Sequence, residues 1–476
     1  MTIGTNWTKA HQAFLERSSI AAGTARALQC HLANFLSRSH GDHEGLFPDR
    51  RVEDWKYTSL AHLTEMEAVA QLSPRVPDAR ALDHALATAL RPLGFQPEEL
   101  GLSTMPAASR TQNVVLVMSG GTLLRLHVPD ALQPSVSVTM SPGPASDLGS
   151  DRDRADRDQA AKAVSPQWGH ALESLHGAFH KDTIRIDAVK TSTNSKPNIF
   201  VVEVHGTVPA AEDGSLSVSE IHVTLRAGAR ARIVQVQADP RHRETLNLTK
   251  LTIDLEAGSD LDHFVAQETL EGQNVINTTR ITCAEGASYR SLGAVRGEGL
   301  VRNHIDAALT GVQASAWIGS CVHPQRGGHL DHLTRVRHES PQTSSTQLYK
   351  HLVDDQGHVV FRGTISIAAG ADGSEAHQTS RSLLLGPQSQ ADTKPELIIA
   401  ADDVVCSHGA TVGPLSGDEV FYLQSRGLTR TEAVALLCTG FLEEPAQALG
   451  DRDLATWALR WLAPKKPFAP TEEGRP

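Results

Sequence analysis

The spacing of hydrophobic positions divides the chain into a helix-rich head, a long β body and a helical end. Apolar residues recur at helical spacing over residues 8–37, which predicts a helix. Over residues 113–128 two apolar runs flank Gly120-Gly121, and this pattern predicts a β-hairpin. The segment that follows is rich in turn formers and in charges of both signs, which indicates a solvated linker. We therefore expect residues 1–175 to form an N-terminal helix-rich domain with a hairpin and a charged linker.

The β body spans residues 183–415. Short runs such as Thr183–Ile186 and Ile221–Leu225 alternate apolar and polar residues, as in a strand with one buried face. Turns built of small residues separate these runs, and glycine suits a tight turn that needs positive φ. These turns are Ala227-Gly228-Ala229, Ala257-Gly258-Ser259, Glu285-Gly286-Ala287, Thr310-Gly311 and Ala369-Gly370-Ala371.

The nearly regular spacing of these turns predicts stacked β rungs rather than a single layer. The first four turn glycines follow each other at intervals of 30, 28 and 25 residues, with no helical pattern between them. A β-sandwich produces the same alternation and stays open as the alternative. Hairpin turns of the Asn-Gly or Asp-Gly type are scarce, and Asp372-Gly373 is one of the few. The pattern therefore favours a mainly β fold, a right-handed parallel β-helix, with helical domains on both sides.

The last part of the chain returns to helical spacing. Two Ser/Thr and Glu pairs have the spacing of a capping box, and a third amphipathic run stops at Pro464. The pairs are Ser416 with Glu419 and Thr429 with Glu432. We predict a C-terminal helical domain over residues 416–465 and a disordered tail over residues 466–476. Trp457 and Trp461 lie on one face of the third helix, where they either pack in a core or form a docking surface.

Composition excludes several classes of function. The 476 residues include 44 Lys and Arg against 55 Asp and Glu, a net charge of −11, which argues against nucleic-acid binding. The apolar run Val114–Met118 is far shorter than the roughly 20 residues of a membrane span, and the N-terminus lacks an apolar signal core. The five cysteines include no CxxC pair, so neither a disulfide framework nor a local metal site is expected. These features predict a cytoplasmic protein.

Cys406 and His408 are the clearest candidates for chemistry. Side chains at positions i and i+2 of a strand leave the same face, and a thiolate beside an imidazole suits iron, zinc or copper. Two donors are too few for a tight site, so further ligands would have to come from elsewhere. A half-buried cysteine beside a surface histidine is the structural alternative. A Cys/His nucleophile is disfavoured, because such side chains are separated by about 6–7 Å along a strand.

Other motifs are absent or ambiguous. A dense histidine run extends from His323 to His358, without an HExxH or HxxxH pair inside it, and we expect these side chains to be solvated or packed on rungs. Its members are His323, His329, His332, His338, His351 and His358. The chain has no GxxxxGK[ST] motif and no GxSxG motif, so we expect it to be neither an ATPase nor a serine hydrolase.

Two segments resemble the SufB/SufD family of the Suf iron–sulfur cluster assembly system. Residues 48–60, PDRRVEDWKYTSL, resemble an N-terminal signature of that family. Residues 360–429 resemble its shared core, with FRGT, QTSRSLLL, DDVVCSHGAT and FYLQSRG in that order. The WKYT signature and a head with a single cysteine, Cys30, match the SufD branch. The resemblance implies a β-helix over roughly residues 190–445.

The resemblance also implies a function. It implies a non-catalytic scaffold that pairs with a SufB-like paralogue through the β-helix and binds the ATPase SufC through its C-terminal helices. His408 and, as a lesser candidate, Cys406 would lie at the SufB interface, where an iron–sulfur cluster or iron binds transiently; no cofactor is expected to stay on the isolated chain. The candidate partner-binding residues are Phe421, Tyr422, Arg426, Leu436, Phe441, Trp457 and Trp461. A SufB-like cluster carrier acting as a homodimer and an inert structural β-helix are the alternatives.

Overall fold

The computed structural model describes most of the chain from residue 113 onwards. The described ranges are 113–119, 122–142, 169–180, 182–191, 196–204, 215–239, 244–354 and 356–462, with eleven isolated positions before residue 113. The expected N-terminal helix over residues 8–37, the charged linker and the tail over residues 466–476 lie wholly or largely outside these residues.

The strands form two sheets whose members alternate along the chain. The first sheet contains β1 (Val69–Ala70), β4 (Val136–Pro142), β5 (Asp182–Ala188), β7 (Ser215–Leu225), β9 (Thr245–Leu255), β11 (Gln273–Cys283), β13 (Leu300–Leu309), β15 (His329–His338), β17 (His358–Ile367) and β19 (Gln390–Ile399). The second contains β2 (Asn113–Ser119), β3 (Thr122–His127), β6 (Asn198–Val204), β8 (Arg230–Ala238), β10 (Asp260–Thr269), β12 (Ser288–Gly297), β14 (Ser315–Pro324), β16 (Ser344–Val353), β18 (Ser374–Leu384) and β20 (Val404–Pro414).

This alternation is that of a parallel β-solenoid. From β7 to β20 the chain adds one strand to each sheet in turn, so that the described residues form seven coils of two strands. Each strand of these coils pairs in parallel with the strand one coil before it. The solenoid prediction is therefore confirmed, and the antiparallel β-sandwich is excluded. Antiparallel pairing occurs between β2 and β3, which form the hairpin predicted over residues 113–128, and between β4 and β5.

The core consists of columns of side chains that point into the solenoid. Because neighbouring strands are parallel and in register, equivalent residues stack directly above each other from coil to coil. One such column is buried almost completely and consists of Ile253, Ile281, Ala307, Val336 and Ile365. The burial of these aliphatic side chains stabilises each coil against its neighbours, at about 25 cal/mol per Å².

The turns at one corner of the solenoid stack as a ladder. Gly228, Gly258 and Gly286 take positive φ at this corner, as predicted, and each amide donates to a carbonyl of the next turn. The prediction fails for Gly311, because Gln313 takes the left-handed position in that turn, with φ of 60°. Glycine is needed at 311 for a different reason: a Cβ there would lie 2.0 Å from the Glu285 amide nitrogen.

Four helices accompany the solenoid in the described residues. They are α1 (Gly169–Phe179), α2 (Gly417–Ser425), α3 (Arg430–Ala448) and α4 (Arg452–Leu462). The side chains of Ser416 and Thr429 cap α2 and α3 as the sequence predicts, and Thr429 forms a complete capping box with Glu432. Among the described helices, none has both the length and the apolar composition required to cross a membrane.

The C-terminal helices pack against the outer face of the second sheet. Their apolar residues join those of β6 to β16 in one hydrophobic cluster. Trp461 is fully buried there, and its indole Nε1 donates to the Gln267 carbonyl at 3.1 Å. The sequence left a core role and a docking role open for this residue, and the structure places it in the core.

Candidate functional site

The solenoid ends at β19 and β20, and each of these strands has a strand partner on one side only. β19 pairs with β17 and β20 with β18, and no described strand lies beyond them. Every residue of β20 is exposed or only half-buried, whereas its neighbour β18 alternates regularly between buried and more exposed positions. The space where a Cβ would lie at Gly409 and Gly413 is open. The last coil is thus an uncovered end of the β body.

Cys406 and His408 lie on β20 at positions that face the interior of the solenoid. Cys406 pairs with Ala376 and His408 pairs with Gln378, both of which are buried on β18. Cys406 also packs against an interior cluster whose members include Ile365 and Ala376. Because no described coil covers β20, His408 is exposed and Cys406 is half-buried. The structure therefore brings both predicted donors together on one face at the open end.

The environment of these two residues limits their chemistry when the chain is alone. Partial burial raises the pKa of the Cys406 thiol, so it stays protonated at neutral pH. Within the ranges that the structure describes, no three His, Cys, Asp or Glu side chains form a ready metal site. Among the described residues, Cys406 and His408 thus supply two donors, which are fewer than a tight metal site needs.

Four aliphatic side chains surround the open end. Ile398, Ile399, Val405 and Val412 each expose between 44 and 57% of their surface. Ile399 and Val412 continue interior columns, since they pair with Ile367 and Ser382 of the preceding coil. Exposed aliphatic residues on terminal strands are a feature that many docking surfaces share. These residues were not among the candidates predicted from the sequence. The run Leu397–Ile399 is the signal for them, because apolar residues there occupy both faces of one strand.

The candidate partner-binding residues on the C-terminal helices fall into two groups. Phe421 on α2 is 72% exposed, and Tyr422 and Leu436 are also exposed. The Arg426 guanidinium lies over the Tyr422 ring, 5.2 Å from its centroid. These four residues form a surface that we call the α2–α3 patch.

The second group packs against the β body. Trp457 is half-buried between Phe200 and Phe264, at ring-centroid distances of 6.3 Å to each. Phe441 is half-buried, with the Lys350 ammonium 4.4 Å from its ring centroid. Together with the buried Trp461, these side chains hold α3 and α4 on the solenoid. Among the candidate partner-binding residues, those of the α2–α3 patch are therefore the ones that are exposed.

The histidine run belongs to the rungs rather than to the open end. Four of its members are buried, and His329 and His358 are half-buried. His332 lines an interior cavity of about 40 Å³, together with Asn303, Ser320 and Tyr349. The rung-packed alternative of the sequence analysis thus describes these residues.

Comparison with known proteins points to one family. Residues 208–441 match the family model described as the SufBD core domain of SUF system FeS cluster assembly. This range contains most of the solenoid, the open end with Cys406 and His408, and the α2–α3 patch.

The similarity to individual relatives extends beyond this domain. The iron–sulfur cluster assembly protein SufD of Escherichia coli is 27% identical over 453 residues, which are 94% of this chain and 95% of that protein. A SufBD family protein of Synechocystis is 24% identical over 83% of both chains. The cluster assembly protein SufB of Bacillus subtilis is 30% identical over 172 residues, which are 36% of this chain and 37% of that protein.

Proposed function

Because the chain belongs to the SufBD family of iron–sulfur cluster assembly proteins, we propose that it acts as a SufD-type scaffold subunit. It pairs with a SufB-type paralogue through the open end formed by β19 and β20. The observation that carries this proposal is the exposure of both terminal strands at the end where Cys406 and His408 lie.

The open end fits a partner with the same fold. Terminal parallel strands leave backbone N–H and C=O groups without a strand partner, and a further coil can pair with them. Ile399 and Val412 already continue the interior columns, so a coil stacked on them would bury both side chains. A paralogue built from coils of the same width supplies such a surface.

Pairing also completes the donor set at Cys406 and His408. A cluster or an iron ion is the cargo of this site, and thiolate or imidazole groups of the partner add the missing ligands. Binding of the cargo displaces the thiol proton of Cys406, whose pKa is raised by burial. His408 is the more accessible of the two donors because its side chain is exposed.

The α2–α3 patch is the proposed docking site of the ATPase subunit, SufC. Phe421 and Tyr422 present aromatic rings to solvent beside Arg426, the residue types that dominate binding energy at protein interfaces. ATP-driven closure of that subunit then opens the paired solenoids for cluster building.

The four described cysteines are unpaired, which supports action in the reducing cytoplasm.

The test is a His408→Ala substitution in the complex with the SufB-type and ATPase subunits. We expect a several-fold loss of iron and sulfide per complex, with the unfolding temperature and the subunit stoichiometry unchanged. His377→Ala is the matched control, because His377 lies on the neighbouring strand and donates to or accepts from Ser407 at 2.8 Å instead of facing the interior. A normal cluster yield in His408→Ala contradicts the assignment.

A cluster carrier of the SufB type is the competing function, because part of the chain is 30% identical to a SufB. Anaerobic reconstitution of the isolated chain separates the two functions. The scaffold proposal expects little retained iron and sulfide after desalting. Stoichiometric iron and sulfide with a charge-transfer band would instead indicate a carrier.

A further inference from the structure

A buried glutamine lies directly behind His408 in the interior of the solenoid. Gln378 on β18 pairs with His408 on β20, and the preceding member of this column is Gln347 on β16. Because the strands are parallel and in register, the three side chains stack on neighbouring strands about 4.8 Å apart. Gln347 and Gln378 are each 1% exposed, whereas His408 is exposed. A column of two enclosed amides therefore ends at the candidate ligand.

The amide groups of this column are buried without hydrogen-bond partners. Among the described residues, none bonds to Nε2 or Oε1 of either Gln347 or Gln378. Buried polar groups in native proteins are almost always hydrogen-bonded, so two such amides in succession require a reason. Packing does not supply one, because an aliphatic side chain of similar size would fill the same space without burying polar atoms. The polar side chain that continues the column, and that these amides can serve, is His408.

The opposite sheet leaves room for the Gln378 amide. Gly363 on β17 faces it across the interior, and a Cβ at this glycine would lie 2.1 Å from Gln378 Nε2 and 2.7 Å from Cζ of Phe361. The backbone of Gly363 does not have positive φ, so its conformation would accept another residue. The close approach of the amide therefore accounts for the glycine of the FRGT segment.

A histidine that binds a metal needs a hydrogen-bond acceptor for its other ring nitrogen. The neutral imidazole gives the lone pair of one nitrogen to the metal, and the N–H of the other donates to a carboxylate, a carbonyl or water. In the isolated chain, water reaches the exposed ring of His408. A coil stacked on the open end would exclude this water, so the N–H that points into the solenoid would then need an acceptor from the solenoid itself.

We propose that Gln378 is a positioning residue for His408, an inference that rests on the proposed scaffold function. In the paired state, Gln378 Oε1 accepts the inward N–H of the His408 ring. This hydrogen bond fixes the tautomer and directs the lone pair of the other ring nitrogen outwards, towards the junction with the partner. The Nε2–H of Gln378 donates to Oε1 of Gln347, so the two amides form a ladder of the kind that stacked parallel strands support. Gln378 itself does not touch the cargo.

The test compares variants of Gln378 in the complex with the SufB-type and ATPase subunits. Gln378→Leu fills the same space without an acceptor, and we expect it to lower the iron and sulfide content of the complex by about tenfold, as loss of an outer hydrogen bond does in metal sites. Gln378→Glu keeps an acceptor oxygen at the same position and should retain at least half of the parent's iron and sulfide.

The unfolding temperature of the isolated chain distinguishes positioning from a structural role. Gln378→Leu removes an unpartnered buried amide, so the unfolding temperature should be equal to that of the parent or higher. A residue that served the fold alone would give a lower unfolding temperature together with the lower cluster content. Stability that is kept while cluster content falls is therefore the expected signature, and a decrease of both would contradict the proposal.

Ser380→Ala is the matched control. Ser380 lies on the same strand, is fully buried and also lacks a hydrogen-bond partner among the described residues, but its outer neighbour is Ala410, which has no polar side chain. This variant should assemble clusters like the parent. The inference is overturned if a folded Gln378→Leu chain keeps the parent's iron and sulfide while His408→Ala loses them, or if Gln378→Glu loses as much as Gln378→Leu. Normal content in His408→Ala would instead refute the proposed site at His408, and this inference with it.

Discussion

Val412→Asp tests the open end as the pairing surface. Val412 is the last member of an interior column in which Ser382 and the fully buried His351 precede it. In the isolated chain 45% of its surface is exposed, so an aspartate there remains hydrated. In the paired state a stacked coil would cover the position, and the carboxylate would lose its water.

The magnitude follows from the remaining exposure of Val412. Full burial of a valine side chain contributes about 1.5–3 kcal/mol, so the exposed 45% corresponds to about 1 kcal/mol of pairing free energy. An unpaired carboxylate inside the interface costs about 2 kcal/mol or more in addition. The combined loss of about 3 kcal/mol predicts roughly 100-fold weaker pairing with the SufB-type partner.

The assay is a dissociation constant for the two solenoid subunits, measured by isothermal titration calorimetry. Val312→Asp is the control, because Val312 is 40% exposed on a turn several coils before the open end. It should change affinity less than threefold, and circular dichroism should show that both variants are folded. Wild-type affinity in a folded Val412→Asp chain would refute pairing through β19 and β20.

Three further predictions concern the helices and the polar interior. Tyr422→Ala should weaken binding of the ATPase subunit by about tenfold in a pull-down titration, while pairing with the SufB-type subunit stays normal. Unchanged binding of the ATPase subunit would contradict the α2–α3 patch as its docking site. Trp461→Ala should lower the free energy of unfolding in urea by about 3–5 kcal/mol, against less than about 0.5 kcal/mol for the exposed Leu436→Ala, and equal effects would contradict the core assignment. Burial lowers the pKa of His332 to about 4 and that of His351 to about 3, so both rings are neutral in the folded protein at pH 7. Their contribution to the free energy of unfolding is therefore complete above pH 6.5 and is lost as the pH falls towards 4. The urea midpoint should therefore decrease between pH 7 and pH 5, and a constant midpoint would show that these rings do not stay neutral.

The features that sequence reasoning predicted correctly depend on short-range order. Alternation with period two identified the strands, because it records which side of each strand is buried. The Thr429–Glu432 capping box placed the start of α3, since both of its hydrogen bonds join residues three positions apart. The pair Cys406 and His408 could be placed on one face from spacing alone, and the open end confirmed that arrangement.

The turn ladder shows a feature that the local sequence does not predict, which is the residue that adopts positive φ in each turn. Glycine tolerates positive φ, so the sequence analysis assigned Gly311 to the left-handed position, yet Gln313 occupies it. The amide of Gln313 donates to the Pro341 carbonyl of the next turn, and that pairing helps hold the residue in an unfavourable conformation. Contacts between successive turns, which are absent from the local sequence, thus decide which residue adopts positive φ.

Local sequence signals were sufficient to identify the classes of element, their order and the family of this protein, because periodicity, caps and motifs involve neighbouring residues. Three features follow from the three-dimensional arrangement instead: β19 and β20 have no outer neighbour among the described strands, Trp461 is buried while Phe421 is exposed, and Glu220 lies near two histidines some forty positions earlier in the chain. Each of these facts depends on which strands and helices lie side by side. That arrangement is set by the burial of whole columns and faces, summed over many coils, and no short segment contains it.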